Sequence, residues 1–402
     1  MMTAKLFENN SLLRECDAVV TACAEKNGKY FIELDQTVFF PEGGGQLSDR
    51  GKLNEVVVEH VSEKEGHIYH ECAAPLEVGT PVKAVLDWTV RLDRMQQHLG
   101  EHLLSYACWK LFEANNVGFH MNEDSVFIDL DKELTEEELL KAELATNEII
   151  WDNRPVLVDY MDSTEAVKLK DKMRKFNSKL TGTLRIVSVE GADICTCCGT
   201  HPPFTGMIGC VKVIRHEKHK GGCRVEFLCG RRAMLDMDKK NSTLLKVAAS
   251  LSTKPELVPE HIEKLKTDMQ VQLDAVKSKL LSLHEKELEK LLSEAPKNAE
   301  GVKIVAWPLE GADAKDIKAF IPKLTAYDNT LGILVAVQPE RISYAAVAGA
   351  NTNVDCRMVM KALNMAFNGR GGGKSDCAQG GSDYCEDWAA KLAQVAESLA
   401  KN

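Results

Sequence analysis

The 402-residue chain contains no run of about 18 consecutive apolar residues, the length a membrane-spanning helix needs. Its opening, MMTAKLFENN, lacks the basic start and apolar core of a secretory leader. Positive charge is not in surplus. With 50 Lys and Arg against 60 Asp and Glu, the net charge of −10 excludes a generic basic coat for nucleic acid and leaves room only for local basic patches. Several catalytic signatures are missing as well. No GxGxxG dinucleotide fingerprint is present, and the first histidine of QQHLGEHLLS is followed by Leu99 and Gly100 rather than by the glutamate of HExxH. The glycine run before Lys374-Ser375 fails as a Walker A loop, because Asn368 stands where the first glycine belongs and the run follows a helical pattern. The HxE and PCxxC pair of zinc deaminases is absent. Cysteine, by contrast, is plentiful: 13 residues, odd in number and irregularly spaced. Without a leader, this reads as a cytoplasmic protein with reduced thiols, in which clustered cysteine suggests metal ligation before disulfides.

The stretch GADICTCCGTHPPFTGMIG, from Gly191 to Gly209, organises the rest. Cys197 and His201 stand four apart in it, and His98 and His102 stand four apart about a hundred residues earlier. On a helix, side chains at i and i+4 project from one face, as a metal requires of a ligand pair. Two such borderline-soft pairs point to one zinc ion. Cys195 and Cys198 also form a CxxC, which admits a redox or zinc-ribbon reading, but no second CxxC follows at ribbon spacing. Glu101, just before His102, reads as a supporting group or an exposed charge.

The expected fold class is α+β in four parts. Residues 1–88 alternate short apolar runs with turns about every ten residues, which predicts a small β-barrel carrying the glycine motif Thr37-Val-Phe-Phe-Pro-Glu-Gly43-Gly44-Gly45-Gln46. That triple glycine reads as a tight turn or as a backbone that a ligand approaches closely. Residues 89–230 predict a zinc-containing α/β domain. A histidine helix lies over about 88–116, a second helix is capped by Thr135 with Glu138 three residues on, and a third covers the basic stretch with Lys168, Lys170, Lys172, Arg174 and Lys175. That stretch and the loop with Arg215, Lys218 and Lys220 read as solvated faces or as phosphate contacts. Residues 231–297 carry apolar positions every three or four residues, among them Ile262, Leu265, Met269, Leu273, Val276, Leu280 and Leu283, and predict a helical hairpin or coiled-coil stalk. Residues 298–402 predict a small glycine-rich α/β domain, in which Arg370 and Lys374 flank a glycine run able to form an anion-binding backbone nest.

Taken together, TVFFPEGGGQLSDRG, QQHLGEHLLS, NVGFHMNEDSVFIDLD and CCGTHPPFTGMIG resemble the editing half of alanyl-tRNA synthetase, and still more the free-standing alanyl-tRNA editing proteins of the AlaX family. The stalk and NGRGGGKSDCAQGG resemble the synthetase's C-terminal region, so the resemblance is to the long AlaX form and covers nearly the whole chain. One departure is Cys198, which replaces the first glycine of the usual CGGTH. The resemblance implies a trans-editing hydrolase that removes serine, and also glycine, from mischarged alanine tRNA. No aminoacylation core or phosphoesterase DHH triplet is expected. It further implies zinc held by His98, His102, Cys197 and His201, Thr37 reading the serine hydroxyl, and the glycine run with Gly44 and Gly45, together with Gln46, close to the terminal adenosine or the ester. Arg215, Lys218, Lys220, Arg370 and Lys374 would contact tRNA in a salt-sensitive way, and the stalk or C-terminal domain would make a homodimer. The competing expectation is a non-catalytic zinc-containing tRNA-binding module.

Overall fold

A computed structural model describes residues 2–174 and 181–401 of the chain. It divides into two compact units, residues 1–247 and 248–402, and both mix helix with strand.

The first unit opens with six strands: Glu15–Lys26, Lys29–Leu34, Gly51–Leu53, Val56–Lys64, His67–Cys72 and Pro81–Leu86. Each pairs antiparallel with two neighbours, so the ring closes into a barrel. Alternation along these strands turns Val20, Ile32, Leu34, Val58, Val61, Ile68 and Ala84 inward, where they are buried with Val38 and Phe39. His70 is also fully buried. Its Nδ1 faces the Ile32 carbonyl at 2.9 Å and its Nε2 faces Thr37 Oγ1 at 2.8 Å. Burial pushes this imidazole down from 6.5 to about 4. The folded barrel thus resists a proton that the unfolded chain takes up below about pH 6.5. Stability is held above that pH and falls as the pH drops towards 4, by roughly 3 kcal/mol at the full extent of the shift. Thermal melts at pH 7 and pH 5 should therefore differ, and the difference should shrink in a His70→Gln variant.

After the barrel comes the 25-residue helix Trp88–Phe112, whose first turn is closed by Asp87 accepting from Thr89 N and Val90 N. Leu99, Leu103 and Leu104 sink into the core, placing His98 and His102 on the adjoining stripe. A four-stranded antiparallel sheet, in the order Val211–His219, Gly222–Cys229, Val126–Leu130 and Asn116–Met121, supplies much of that core. The second helix, Glu136–Trp151, starts at the expected Thr135–Glu138 capping box. A three-stranded sheet orders Val156–Asp162, Thr183–Val189 and Ile194–Thr196 and carries the cysteine loop at its edge.

The helix expected over the basic stretch is not continuous. One helical turn at Ser163–Ala166 passes into a 3-10 segment at Val167–Lys172, and Met173 is extended and buried. Arg174 then turns inward to Asp193 instead of joining a solvated face. Lys168 pairs with Glu165 on the surface, and Lys175 lies outside the described residues.

In the second unit the 37-residue helix Val258–Glu294 buries Leu288 and Leu292 against the sheet at its C-terminal end. Upstream, Leu265, Met269, Leu273, Val276 and Leu283 are exposed, each by half or more. The sheet orders Lys303–Glu310, Thr330–Val337, Arg341–Ala348, Cys377–Asp383 and Arg370–Gly373. The glycine run is therefore an exposed edge strand and not a free nest. Gly371 pairs with Gly380 and Gly372 with Gln379, and a Cβ on Gly371 would run into the Gln379–Gly380 backbone.

Candidate metal centre

Helix Trp88–Phe112 and the loop after strand Ile194–Thr196 bring the two predicted pairs together. One donor atom from each of His98, His102, Cys197 and His201 lies within 4.8 Å of all the others. Cys197 Sγ is 3.3 Å from His98 Nε2 and 3.7 Å from His201 Nε2, and His201 Nε2 is 3.4 Å from His102 Nε2. A tetrahedral zinc with ordinary bond lengths demands about 3.3 Å between nitrogens and about 3.5 Å between nitrogen and sulfur. The donor set fits a metal in kind as well as in spacing. His201 Nδ1 is buried without a hydrogen-bond partner, while its Nε2 faces the other donors.

The remaining ring nitrogens are held by the protein. His98 Nδ1 lies 2.7 Å from Gln46 Oε1, and the Gln46 amide donates to Thr200 Oγ1 at 2.8 Å. His102 Nδ1 lies 3.1 Å from Asp193 Oδ2 and 3.2 Å from Cys195 Sγ. Such partners fix the tautomer that leaves Nε2 free to ligate. Asp193 is fully buried, yet Arg174 and His102 draw its carboxyl down to about 2. Burial raises the Cys197 thiol, but His98, His201 and His102 pull it the other way and hold it well below the usual range. Burial lifts neighbouring Cys195 to about 12, which separates a thiolate ligand from a neutral supporting thiol. Cys198 is exposed. The CxxC pair is thus divided between two environments.

Two glycines let the segments meet. A Cβ on Gly199 would fall inside the contact distance of the His98 ring. Gly45, at φ +83°, would drive a Cβ to 2.7 Å from the Phe119 ring, and Phe119 stacks on His98 at 5.5 Å between ring centroids.

His98, His102 and Cys197 open on a cleft of about 260 Å³ that Gly44, Glu101, Asn116, Gly118, Phe119, Arg174 and Thr196 also line. Gly44 therefore sits at the cleft wall, while Gly45 is not among its lining residues. Gln46 is fully buried behind His98 and orients that ligand rather than touching what enters. Thr37 does not reach the site. It is fully buried in the barrel, tied to His70 and to Phe39 N. Of the basic residues, Arg215 bonds Glu226 across its hairpin, Lys218 pairs with Glu133 at 3.0 Å, and Lys220 forms the turn with φ +46°. Arg370 opens the exposed edge strand, and Lys374 N bonds the Cys377 carbonyl at its turn. Glu101, Asn116, Arg174 and Asp193 were not singled out by spacing for this cleft. Only the position of Asp193, four before Cys197, offers a signal.

The family model described as tRNA synthetases class II (A) matches residues 9–90, and that described as Threonyl and Alanyl tRNA synthetase second additional domain matches residues 184–226. The chain is 32% identical to the alanyl-tRNA editing protein AlaX-L of Pyrococcus horikoshii, with 94% of each chain covered. It is 30% identical to the alanyl-tRNA editing protein Aarsd1 of Bos taurus over 64% of this chain and 61% of that one. Against the alanine–tRNA ligase of Pyrococcus abyssi it is 29% identical over 94% of this chain, which spans 42% of the ligase. The chain belongs to the alanyl-tRNA editing protein family. Among the described residues no helix is long and apolar enough to cross a membrane.

Proposed function

We propose that the chain is a trans-editing deacylase that hydrolyses the ester of alanine tRNA mischarged with serine or glycine, with one zinc ion held by His98, His102, Cys197 and His201. The observation that carries this reading is the four-donor cluster at the wall of a small cleft, in a chain related along its length to editing proteins. When bound, zinc supplies a fixed positive charge that orients the acyl end. Four protein donors saturate a tetrahedral ion, which favours orientation over activation of water. Gln46 and Asp193 keep the histidines aimed, while Phe119 and the glycines at 44 and 118 give the cleft close walls. At about 260 Å³ it lies below the usual range of ligand pockets, which suits a small acyl group and leaves the tRNA body outside.

The role of Thr37 in reading the serine hydroxyl loses support, since its own hydroxyl is already engaged in the barrel. Arg215, Lys218, Lys220, Arg370 and Lys374 remain candidates for phosphate contact, with the first two already paired to carboxylates. The exposed apolar seam from Leu265 to Leu283 supports a homodimer through the long helix. Sedimentation should then give a dimer mass that Leu273→Glu lowers to that of one chain; a monomeric wild-type protein would remove the idea.

Purified protein should release serine from charged alanine tRNA much faster than alanine, and a chelator should abolish that release. Retention of tRNA without hydrolysis of either ester, in metal-replete protein, would leave the non-catalytic module in its place.

A further inference from the structure

Glu101 is 5% exposed and sits one residue before His102. Its Oε1 is fully occupied, accepting from Ser105 Oγ at 2.7 Å and from Asn116 Nδ2 at 2.6 Å. Asn116 is fixed in turn, donating to Ser105 Oγ at 2.9 Å and accepting from Gly118 N at 2.9 Å. This closed set of side chains sets the plane of the carboxylate. The other oxygen, Oε2, accepts no hydrogen bond among the described residues. It lies 3.9 Å from His102 Nε2, the nitrogen that faces the metal donors. Glu101 is nevertheless outside the four-donor cluster.

Arg174 does not close the free oxygen. It approaches Oε1 at 3.7 Å, and its guanidinium is bonded through Nε to Asp193 Oδ1 at 3.1 Å. Asp193 is also buried, so Arg174 is committed to that carboxylate and leaves Glu101 Oε2 open. A buried carboxylate with a free oxygen turned to a cleft calls for a cationic donor.

We propose that Glu101 takes the α-ammonium group of the aminoacyl ester, so that the cleft accepts acyl ends with a free amine and rejects N-acylated and α-hydroxyacyl ends. The assignment rests on the deacylase reading above. The reach fits. A charge-assisted hydrogen bond of about 2.8 Å and a span of about 2.5 Å from amine nitrogen to ester carbon place that carbon within roughly 5 Å of Oε2, a range that includes His102 Nε2 at 3.9 Å. The ammonium fills the open Oε2 of Glu101, and the ester is left beside His102. Blocking the amine removes the charge and adds bulk in a cleft of about 260 Å³.

The test compares two non-hydrolysable analogues of the tRNA end, 3′-serylamido-adenosine and its N-acetyl form, by calorimetric titration of the zinc-loaded full chain. Wild-type protein should bind the free-amine analogue about ten- to a hundred-fold more tightly, the worth of one charge-assisted hydrogen bond. Glu101→Gln keeps an acceptor for Ser105 and Asn116 and should bind the two alike, with metal content unchanged and with the loss of hydrolysis appearing in KM. Equal binding of both analogues by a wild-type protein that hydrolyses seryl-tRNA overturns the assignment whatever the variant does. A Glu101→Gln variant that loses kcat with KM and analogue preference intact also overturns it, and makes the carboxylate a proton acceptor for water. Absence of both hydrolysis and analogue binding, with zinc in place, overturns the deacylase reading itself and the assignment with it.

Discussion

Cys197→Ala should release the metal and lower deacylation by more than a thousand-fold, while Gln46→Ala should cost only about 10- to 100-fold in metal affinity. The contrast follows from where each side chain stands. Cys197 supplies the only sulfur of the four donors, and three imidazoles hold its thiol well below its ordinary range against the opposing effect of burial. Without that negative charge, His98, His102 and His201 stay crowded with their Nε2 atoms turned to one point, and burial alone already pushes His201 to about 3. Gln46 stands behind His98, and its loss lets one ring swing without removing a donor. Metal analysis of the purified variants alongside deacylation rates would separate the two. Full zinc content and wild-type hydrolysis in Cys197→Ala would remove the metal-centre assignment.

Asp49→Ala should destabilise the first unit by about 3–5 kcal/mol, because it strands a buried guanidinium. Arg91 is fully buried in the first turn of the histidine helix, two turns before His98. It forks onto Asp49, and its remaining donors reach the carbonyls of Val38 and Ser11. Asp49 also accepts from Phe40 N, and Ser11 Oγ donates to the His201 carbonyl at 2.7 Å. One ion pair thus joins the barrel, the helix and the loop of the fourth metal donor. For a unit of this size the melting temperature should fall by roughly 10 °C, with a weaker hold on the metal. The double change Asp49→Leu with Arg91→Met should recover much of the stability, since it leaves no charge behind. A single variant melting within a degree or two of wild type would show that the pair is dispensable.

The four-donor cluster was legible because each pair is local: spacing four along a helix or a tight loop is a statement about geometry that sequence carries directly. The capping box at Thr135 and Glu138 was legible for the same reason. Thr37 and Gln46 were not. Both flank the same glycine turn, nine residues apart, and which of them reaches a histidine of the donor cluster depends on long-range packing. That packing turns Thr37 to His70 in the interior and sends Gln46 to His98. Arg174 and Lys168 belong to one basic stretch in sequence, yet one is buried against Asp193 and the other is exposed, a difference decided by the break at Met173. Glu101 reads as an ordinary charge beside a ligand. Its setting follows from Ser105 and Asn116, of which the second lies 15 residues on, in the strand after the helix. Side chains that act through distant partners carry no local signature.

The Gln46–His98–Thr200 link also governs when the site can exist during folding. Its members are 52 and 154 residues apart along the chain, and Cys197 is separated from His98 by 99. Closing loops of that length is slow and comes after local structure has formed. Barrel, helix and cysteine loop must all be in place before four donors converge, so the ion cannot nucleate this fold as it does in a small zinc finger. An ion taken by these four donors would be captured only after that assembly, and a loaded site would certify that the three segments have met.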